Sequence, residues 1–278
     1  MKILDAQIHC WGSGLPSNES HRQVTRFTPE EALAMMDDAG VDAAIINPPG
    51  WDPGADDMAA AAVADYPGRF AIVGTIQPDD TQGPDRIAAW RTTPGQLGLR
   101  TFFLSVKAQQ ILQNGGADWI WAAAEAAEVP ICMMATPCLD LVAGVAERYP
   151  GLRLTIDHLG GLGGFEQRKD HAAMTHMPGL LALAKFPNVA VKVTGAPGYS
   201  GEAYPFPILA GYVRQIYDAF GPDRMFWGTD ITKMPCSWRQ CITMFTEEMR
   251  WLSDSDKALI MGEALSAWWD WERQASSL

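Results

Sequence analysis

Eight short apolar segments recur along the chain, at residues 2–9, 41–48, 69–76, 96–103, 130–135, 152–157, 188–194 and 224–229, each followed by a stretch with helical spacing. Strand and helix signals in strict alternation imply βαβ units, in which each crossover helix returns the chain to lay down a parallel strand. Eight such units are what a closed (β/α)8 TIM barrel requires, and the 278 residues are within the range that this barrel occupies as one domain. The expectation is a single-domain α/β barrel spanning 1–278. An open doubly wound sheet is the alternative, but no G-x-G-x-x-G follows a strand, and the Gly-rich run at Gly160–Gly164 lacks that spacing.

The expected helices are Pro29–Gly40, Asp56–Tyr66, Pro84–Thr92, Asp118–Val129, Leu139–Tyr149, Gly179–Phe186, Pro207–Phe220 and Ser253–Leu265. Irregular stretches follow the strands at Gly12–Thr28, Pro48–Gly54, Gly161–Pro178, Gly195–Phe206 and Ile231–Arg239. In a barrel these loops form the C-terminal face, where sites are built.

Charge narrows the partners. With 21 Lys+Arg against 33 Asp+Glu the net charge is −12, which repels nucleic acid and anionic membrane surfaces. No apolar run reaches the ~18 residues of a membrane span, and the N-terminus enters a strand without a signal-peptide pattern. Five cysteines in no C-x-x-C spacing read as reduced thiols. A cytoplasmic protein acting on a small molecule is expected, with a homodimer left open.

Period-two reading places Asp5, Gln7 and His9 on one face of the first strand. On an antiparallel strand that would be an ordinary solvated face. A parallel barrel buries both faces, so three polar side chains there must be hydrogen-bonded or bind a ligand. The same parity groups Leu154, Ile156 and His158 on the sixth strand, and Phe226, Gly228 and Asp230 on the eighth. Taken alone, His158 could be a structural histidine and Asp230 a turn cap. Arg100 and Lys192 share the inward parity and need an anionic partner, either a carboxylate such as Asp5 or an acidic substrate group. Arg100, with Lys233 or Arg239 from the last loop, is the candidate anchor for a substrate carboxylate. Trp11, Trp51, Tyr199, Tyr204, Phe206 and Trp238 read either as an aromatic mouth for a ring-shaped substrate or as lid packing.

Four ordered motifs, Asp5-Ala-Gln-Ile-His-Cys-Trp11, Ile156-Asp-His-Leu-Gly160, Val191-Lys-Val-Thr-Gly195 and Phe220-Gly-Pro-Asp-Arg-Met-Phe-Trp-Gly-Thr-Asp230, resemble the signatures of the amidohydrolase-related (amidohydrolase 2) branch of the amidohydrolase superfamily. The resemblance runs from residue 2 to about 266 and implies the TIM barrel, with His9, His158 and Asp230 at active-site positions. That family includes lactonases, among them one for 2-pyrone-4,6-dicarboxylate, and non-oxidative decarboxylases. Its first-strand motif is usually His-x-His. Here Gln7 stands first, and strand five (130–135) offers no histidine or lysine. Gln is a weak zinc ligand. The expectation is therefore either no cofactor or one weakly bound divalent ion, zinc or manganese, on Gln7, His9, His158 and Asp230. The implied reaction is hydrolysis of a lactone of a small organic acid, with Asp230 as general base and His9 and His158 stabilising the oxyanion. Arg100, Lys192, Trp11 and Lys233 would bind substrate. The alternatives are a metal-dependent decarboxylase of an aromatic or muconate-like acid and a non-catalytic binding scaffold.

Overall fold

In a computed structural model, which describes residues 1–80, 83–163 and 167–272, eight parallel strands lie in sequence order. They are β1 (Leu4–Ile8), β2 (Ala43–Ile46), β3 (Phe70–Thr75), β4 (Gln96–Phe102), β5 (Ile131–Met134), β6 (Leu154–Ile156), β7 (Val189–Thr194) and β8 (Met225–Gly228). β8 comes back beside β1, where the Asp230 N–H donates to the Gln7 carbonyl at 2.8 Å. The eight-strand expectation holds, with helices packed outside the strands. Residues 164–166 of the expected loop 161–178, including Gly164 of the Gly-rich run, lie outside the described residues, as do 273–278.

Two buried clusters define the inside and outside of the barrel. The outward residues, such as Ile8, Ile46, Ile72, Leu99, Ile156, Val191 and Trp227, meet the helices. The inward ones, including Leu4, Ala6, Ile45, Val73, Leu97, Ala190 and Phe226, pack together with Trp269 and Leu265 from the C-terminal helical segment. Small side chains such as Ala6, Ala71 and Ala190 leave room for that tryptophan. At Gly98 a Cβ would come within 2.4 Å of the Trp269 ring, so only glycine fits. The plug leaves the opposite end of the barrel for a site.

Helices form where caps and spacing favour them. Pro29–Ala39 opens with a capping box between Thr28 and Glu31 and stops at Gly40, held left-handed at φ 84°. Pro207–Phe220 matches its expected limits. Three departures occur, one of them an additional helix at Trp238–Thr243. A helix at Val106–Gln113, started by the Ser105 side chain, precedes Asp118–Ala126 between β4 and β5; it buries only Leu112, so its sequence carries little apolar periodicity. The continuous helix expected at Ser253–Leu265 is interrupted. A wide turn at Leu259–Glu263 separates Asp254–Ala258 from Ala264–Trp268, because Gly262 passes the start of β1, where a Cβ would lie 2.7 Å from the Lys2 carbonyl. Among the described residues no helix is long and apolar enough to cross a membrane.

The strand register holds the main surprise. β1 pairs Asp5 with Ala44 but Ile8 with Ile46, so one extra residue is accommodated between them, a β-bulge. The bulge breaks the period of two. Leu4 and Ala6 face inward, and so does Gln7, while Asp5 turns outward to the helical layer. Asp5 accepts hydrogen bonds from the Gln7 N–H (3.0 Å), the Thr229 N–H (2.9 Å), the Thr229 hydroxyl (2.5 Å) and Trp238 Nε1 (2.9 Å). Its role is to tie β1 to β8 and to the helix Trp238–Thr243, and burial nonetheless pushes its carboxyl up to about 7.

Candidate active site

Beyond the strand ends, a cavity of about 230 Å³ is lined by His9, His21, His158, Arg100 and Lys233 together with Trp51 and Phe102. It is smaller than the ~300–1,000 Å³ common for drug-sized ligands. A small ring is the scale it suits.

His9, one residue past β1, inherits the inward direction that the bulge establishes. Its Nδ1 lies 2.6 Å from the Asn47 carbonyl, an acceptor only, so Nδ1 carries the proton and Nε2 presents its lone pair. Burial pushes the ring down to about 3, so it is neutral near pH 7. That lone pair stands 3.6 Å from Asp230 Oδ1.

Asp230 follows β8 in a left-handed conformation at φ 53°, with its carboxylate between His9 and Lys233. Burial opposes its ionisation, but the Lys233 ammonium 2.6 Å from Oδ2 holds the group well below the usual carboxylate range. Oδ1 is buried and accepts no hydrogen bond among the described residues.

His158 also has a left-handed backbone, at φ 52°. β6 ends at Ile156, which faces outward with Leu154, so the expected common face of Leu154, Ile156 and His158 does not exist. The backbone turn brings the ring inward instead. Its Nδ1 is 2.9 Å from the Thr194 hydroxyl, and Nε2 sits 3.2 Å from Arg100 Nη2 and 3.3 Å from the Gln7 amide nitrogen. Burial pushes His158 too down to about 3. The same Gln7 nitrogen reaches His9 Nε2 at 3.5 Å, while its oxygen accepts from Lys192 at 3.3 Å. Gln7 thus links the two histidines and turns hydrogens, not lone pairs, toward them.

The buried cations find their partner in Asp157, which sequence reasoning missed. Arg100 Nε donates to Asp157 Oδ2 at 2.6 Å, and Lys192 Nζ is 3.2 Å from Oδ1. Against the cost of burial, these two charges hold Asp157 well below the usual range. Asp5, on the other face of the wall, is not that partner. Lys192, fully buried and 5.7 Å above the Trp269 ring, gives its charge to Asp157 and a hydrogen to Gln7, which makes it a counter-ion and not a substrate contact. Trp11 is not one either: it is fully buried, donates to the Val24 carbonyl and packs on Phe27.

Most of the aromatic mouth resolves in the same way. Tyr199 bonds the His158 carbonyl, Tyr204 the Thr243 hydroxyl and Trp238 Asp5, which leaves Trp51 as the member that lines the cavity. Arg239 points to the Ala39 carbonyl and to Glu247, away from the site.

His21 is the second residue sequence reasoning missed. It lies in the long loop after β1, which is fastened by paired hydrogen bonds between Trp11 and Phe27 and by the Arg22 N–H donating to the Thr232 carbonyl at 2.8 Å. Asp52 holds the start of the same loop through the Gly12 and Ser13 N–H groups. His21, His9 and Asp230 each offer one ligand atom, all within 4.8 Å of one another, a possible His-His-Asp metal site. The set has the size of an open zinc site, but the Lys233 ammonium already neutralises Asp230 and repels a second cation. Of the four ligands expected from sequence, His9 and Asp230 belong to this group, while Gln7 turns N–H groups toward the histidines and His158 Nε2 faces Arg100 and Gln7.

An eight-stranded parallel barrel with histidines and a carboxylate gathered beyond its strand ends defines an amidohydrolase-type site. A family profile described as amidohydrolase matches residues 4–264, and the chain belongs to that family. It is 30% identical over 166 residues, 58% of its length, to L-fucono-1,5-lactonase of Burkholderia ambifaria; the chain spans about half of that relative, 54%. Among solved structures it resembles an amidohydrolase from Burkholderia multivorans with bound zinc (TM-score 0.80, 19% identity, 97% of this chain and 99% of that one). A structure from Pseudomonas putida described as a 2-pyrone-4,6-dicarboxylic acid hydrolase superposes with TM-score 0.75 at 16% identity over 98% of both chains.

Proposed function

We propose that the protein hydrolyses the lactone of a small organic acid, with Asp230 as general base and without need of a metal. One observation carries this reading: Asp230 Oδ1 and His9 Nε2, 3.6 Å apart, are both acceptors, and the Gln7 amide at 3.5 Å from His9 is the one donor that meets either of them among the described residues. A water set there can give one hydrogen to each and turn its oxygen toward a bound ester carbon. Asp230 takes the proton as the C–O bond forms and later returns it to the departing ring oxygen, a service worth about 10²–10⁴-fold.

The carbonyl oxygen needs donors. In the resting hydrogen-bond pattern, His9 and His158 aim no N–H into the cavity, so the oxyanion role read for them from sequence passes to the Arg100 and Lys233 cations, with His158 and Asp157 holding Arg100 in place. The lactonase relative and the family support ester hydrolysis. If a divalent ion does bind, His9, His21 and Asp230 would hold it, and it would supply carbonyl polarisation.

The test is a panel of five- and six-membered lactones and aromatic carboxylic acids, each with and without chelator. Turnover of a lactone unaffected by chelator is the expected result. Release of carbon dioxide from an aromatic acid, lost on chelation, would favour the metal-dependent decarboxylase instead.

A further inference from the structure

We propose that His21 is a catalytic residue of this reaction, the neutral imidazole whose Nε2–H donates to the substrate carbonyl as it becomes an oxyanion. The role rests on the hydrolytic reading above.

Three histidines line the cavity, and each has its Nδ1 engaged by a partner of different chemistry. The Asn47 carbonyl can only accept, so His9 is protonated at Nδ1 and bare at Nε2. Arg100 can only donate, so the His158 Nε2 it faces must be bare as well. His21 Nδ1 lies 2.7 Å from the Thr232 hydroxyl, which can give or take. That hydroxyl is buried, and among the described residues His21 is its one side-chain partner. A buried hydroxyl proton without an acceptor costs about 1–3 kcal/mol. The bond is therefore favoured with Thr232 donating, which leaves the imidazole proton on His21 Nε2.

Position supports the role. The ring lines the cavity, has a nitrogen within 4.8 Å of both His9 and Asp230, and is gripped between Trp51 (5.1 Å between centroids) and Trp11 (6.2 Å). Thr232 also accepts the Arg22 N–H through its carbonyl, so one residue sets both the loop and the tautomer. A His21 protonated at Nε2, with Nδ1 taken by a hydroxyl, has no lone pair to spare for a metal ion. The His-His-Asp group then loses its third ligand.

The experiment combines kinetics and spectroscopy. On a lactone turned over by the wild type, His21→Leu should lower kcat and kcat/KM together by about 10²–10³-fold with KM little changed, the pattern of a donor used in the transition state. His21→Gln, which keeps an amide N–H, should recover part of that loss. Imidazole 15N spectra of the wild-type protein should show His21 protonated at Nε2, with His9 and His158 protonated at Nδ1. A His21 proton on Nδ1, or a His21→Leu variant that keeps kcat or changes only KM, overturns the role. A wild type that turns over no lactone overturns the hydrolytic reading itself, whichever tautomer the spectra show.

Discussion

Asp230 Oδ1 and His9 Nε2 face each other at 3.6 Å with a lone pair on each side, because Asn47 holds the histidine proton at the far nitrogen. Two buried acceptors in that relation repel unless a donor lies between them, and the Lys233 ammonium on Oδ2 keeps the carboxylate charged. The site is thus prepared for a hydrogen-bond donor with two hydrogens.

Asp230→Asn keeps the shape of the side chain and cannot accept a proton. It is expected to reduce kcat by about 10²–10⁴-fold with the circular dichroism spectrum retained, while the unfolding midpoint falls because the buried Lys233 ammonium loses its counter-charge. Near-normal turnover in that variant would remove Asp230 from the role of base.

Lys192→Met tests whether Lys192 is a counter-ion of Asp157 or a substrate contact. A substrate-binding lysine would show itself in KM; a buried counter-ion shows itself in stability. Removing one partner of a buried pair costs about 3–5 kcal/mol, partly relieved here because Arg100 remains on Asp157. The expected result is a lower unfolding midpoint in urea with KM within about twofold, and a large KM rise without loss of stability would contradict it.

Acid should destabilise the protein early. His9 and His158 are pushed down to about 3 and His21 to about 4, below the 6.5 of the free side chain, so the unfolded chain binds protons the folded one refuses. Their contribution is complete above about pH 6.5 and is lost as pH falls toward 3–4. Asp5, raised to about 7, acts in the opposite sense between 3.8 and 7, but it is one group against three. Urea midpoints at pH 7, 5.5 and 4.5 should fall in that order; a rise on acidification would show that the buried imidazoles are not neutral.

Metal should not be required. With Lys233 on Asp230 and the His158 lone pair occupied, purified protein is expected to hold well under one equivalent of zinc or manganese by elemental analysis, and added zinc should not raise turnover. One tightly held equivalent whose removal abolishes activity would return His9, His21 and Asp230 to the status of a coordination shell.

The sequence by itself determined the alternation of eight strands with helices, the wall positions of Gln7, His9, Arg100, Lys192 and Asp230, and the loops that would surround a site. These are local properties: apolar periodicity and polar residues where a barrel has no solvent to offer them. Only the tertiary structure decided the rest. The bulge that turns Asp5 outward exists because β1 must keep register with β2 while Asp5 meets Thr229 and Trp238, residues more than two hundred positions away. The left-handed turn at His158 overrides the parity of β6, whose Leu154 and Ile156 face outward, and brings the ring inward, which no period-two reading contains. His21 reached the site through a loop whose path is set by bonds to Phe27, Thr232 and Asp52, contacts between segments that carry no periodic signal. Strand identity is written in neighbours along the chain, whereas proton placement in this cavity depends on which donors and acceptors the closed barrel brings face to face.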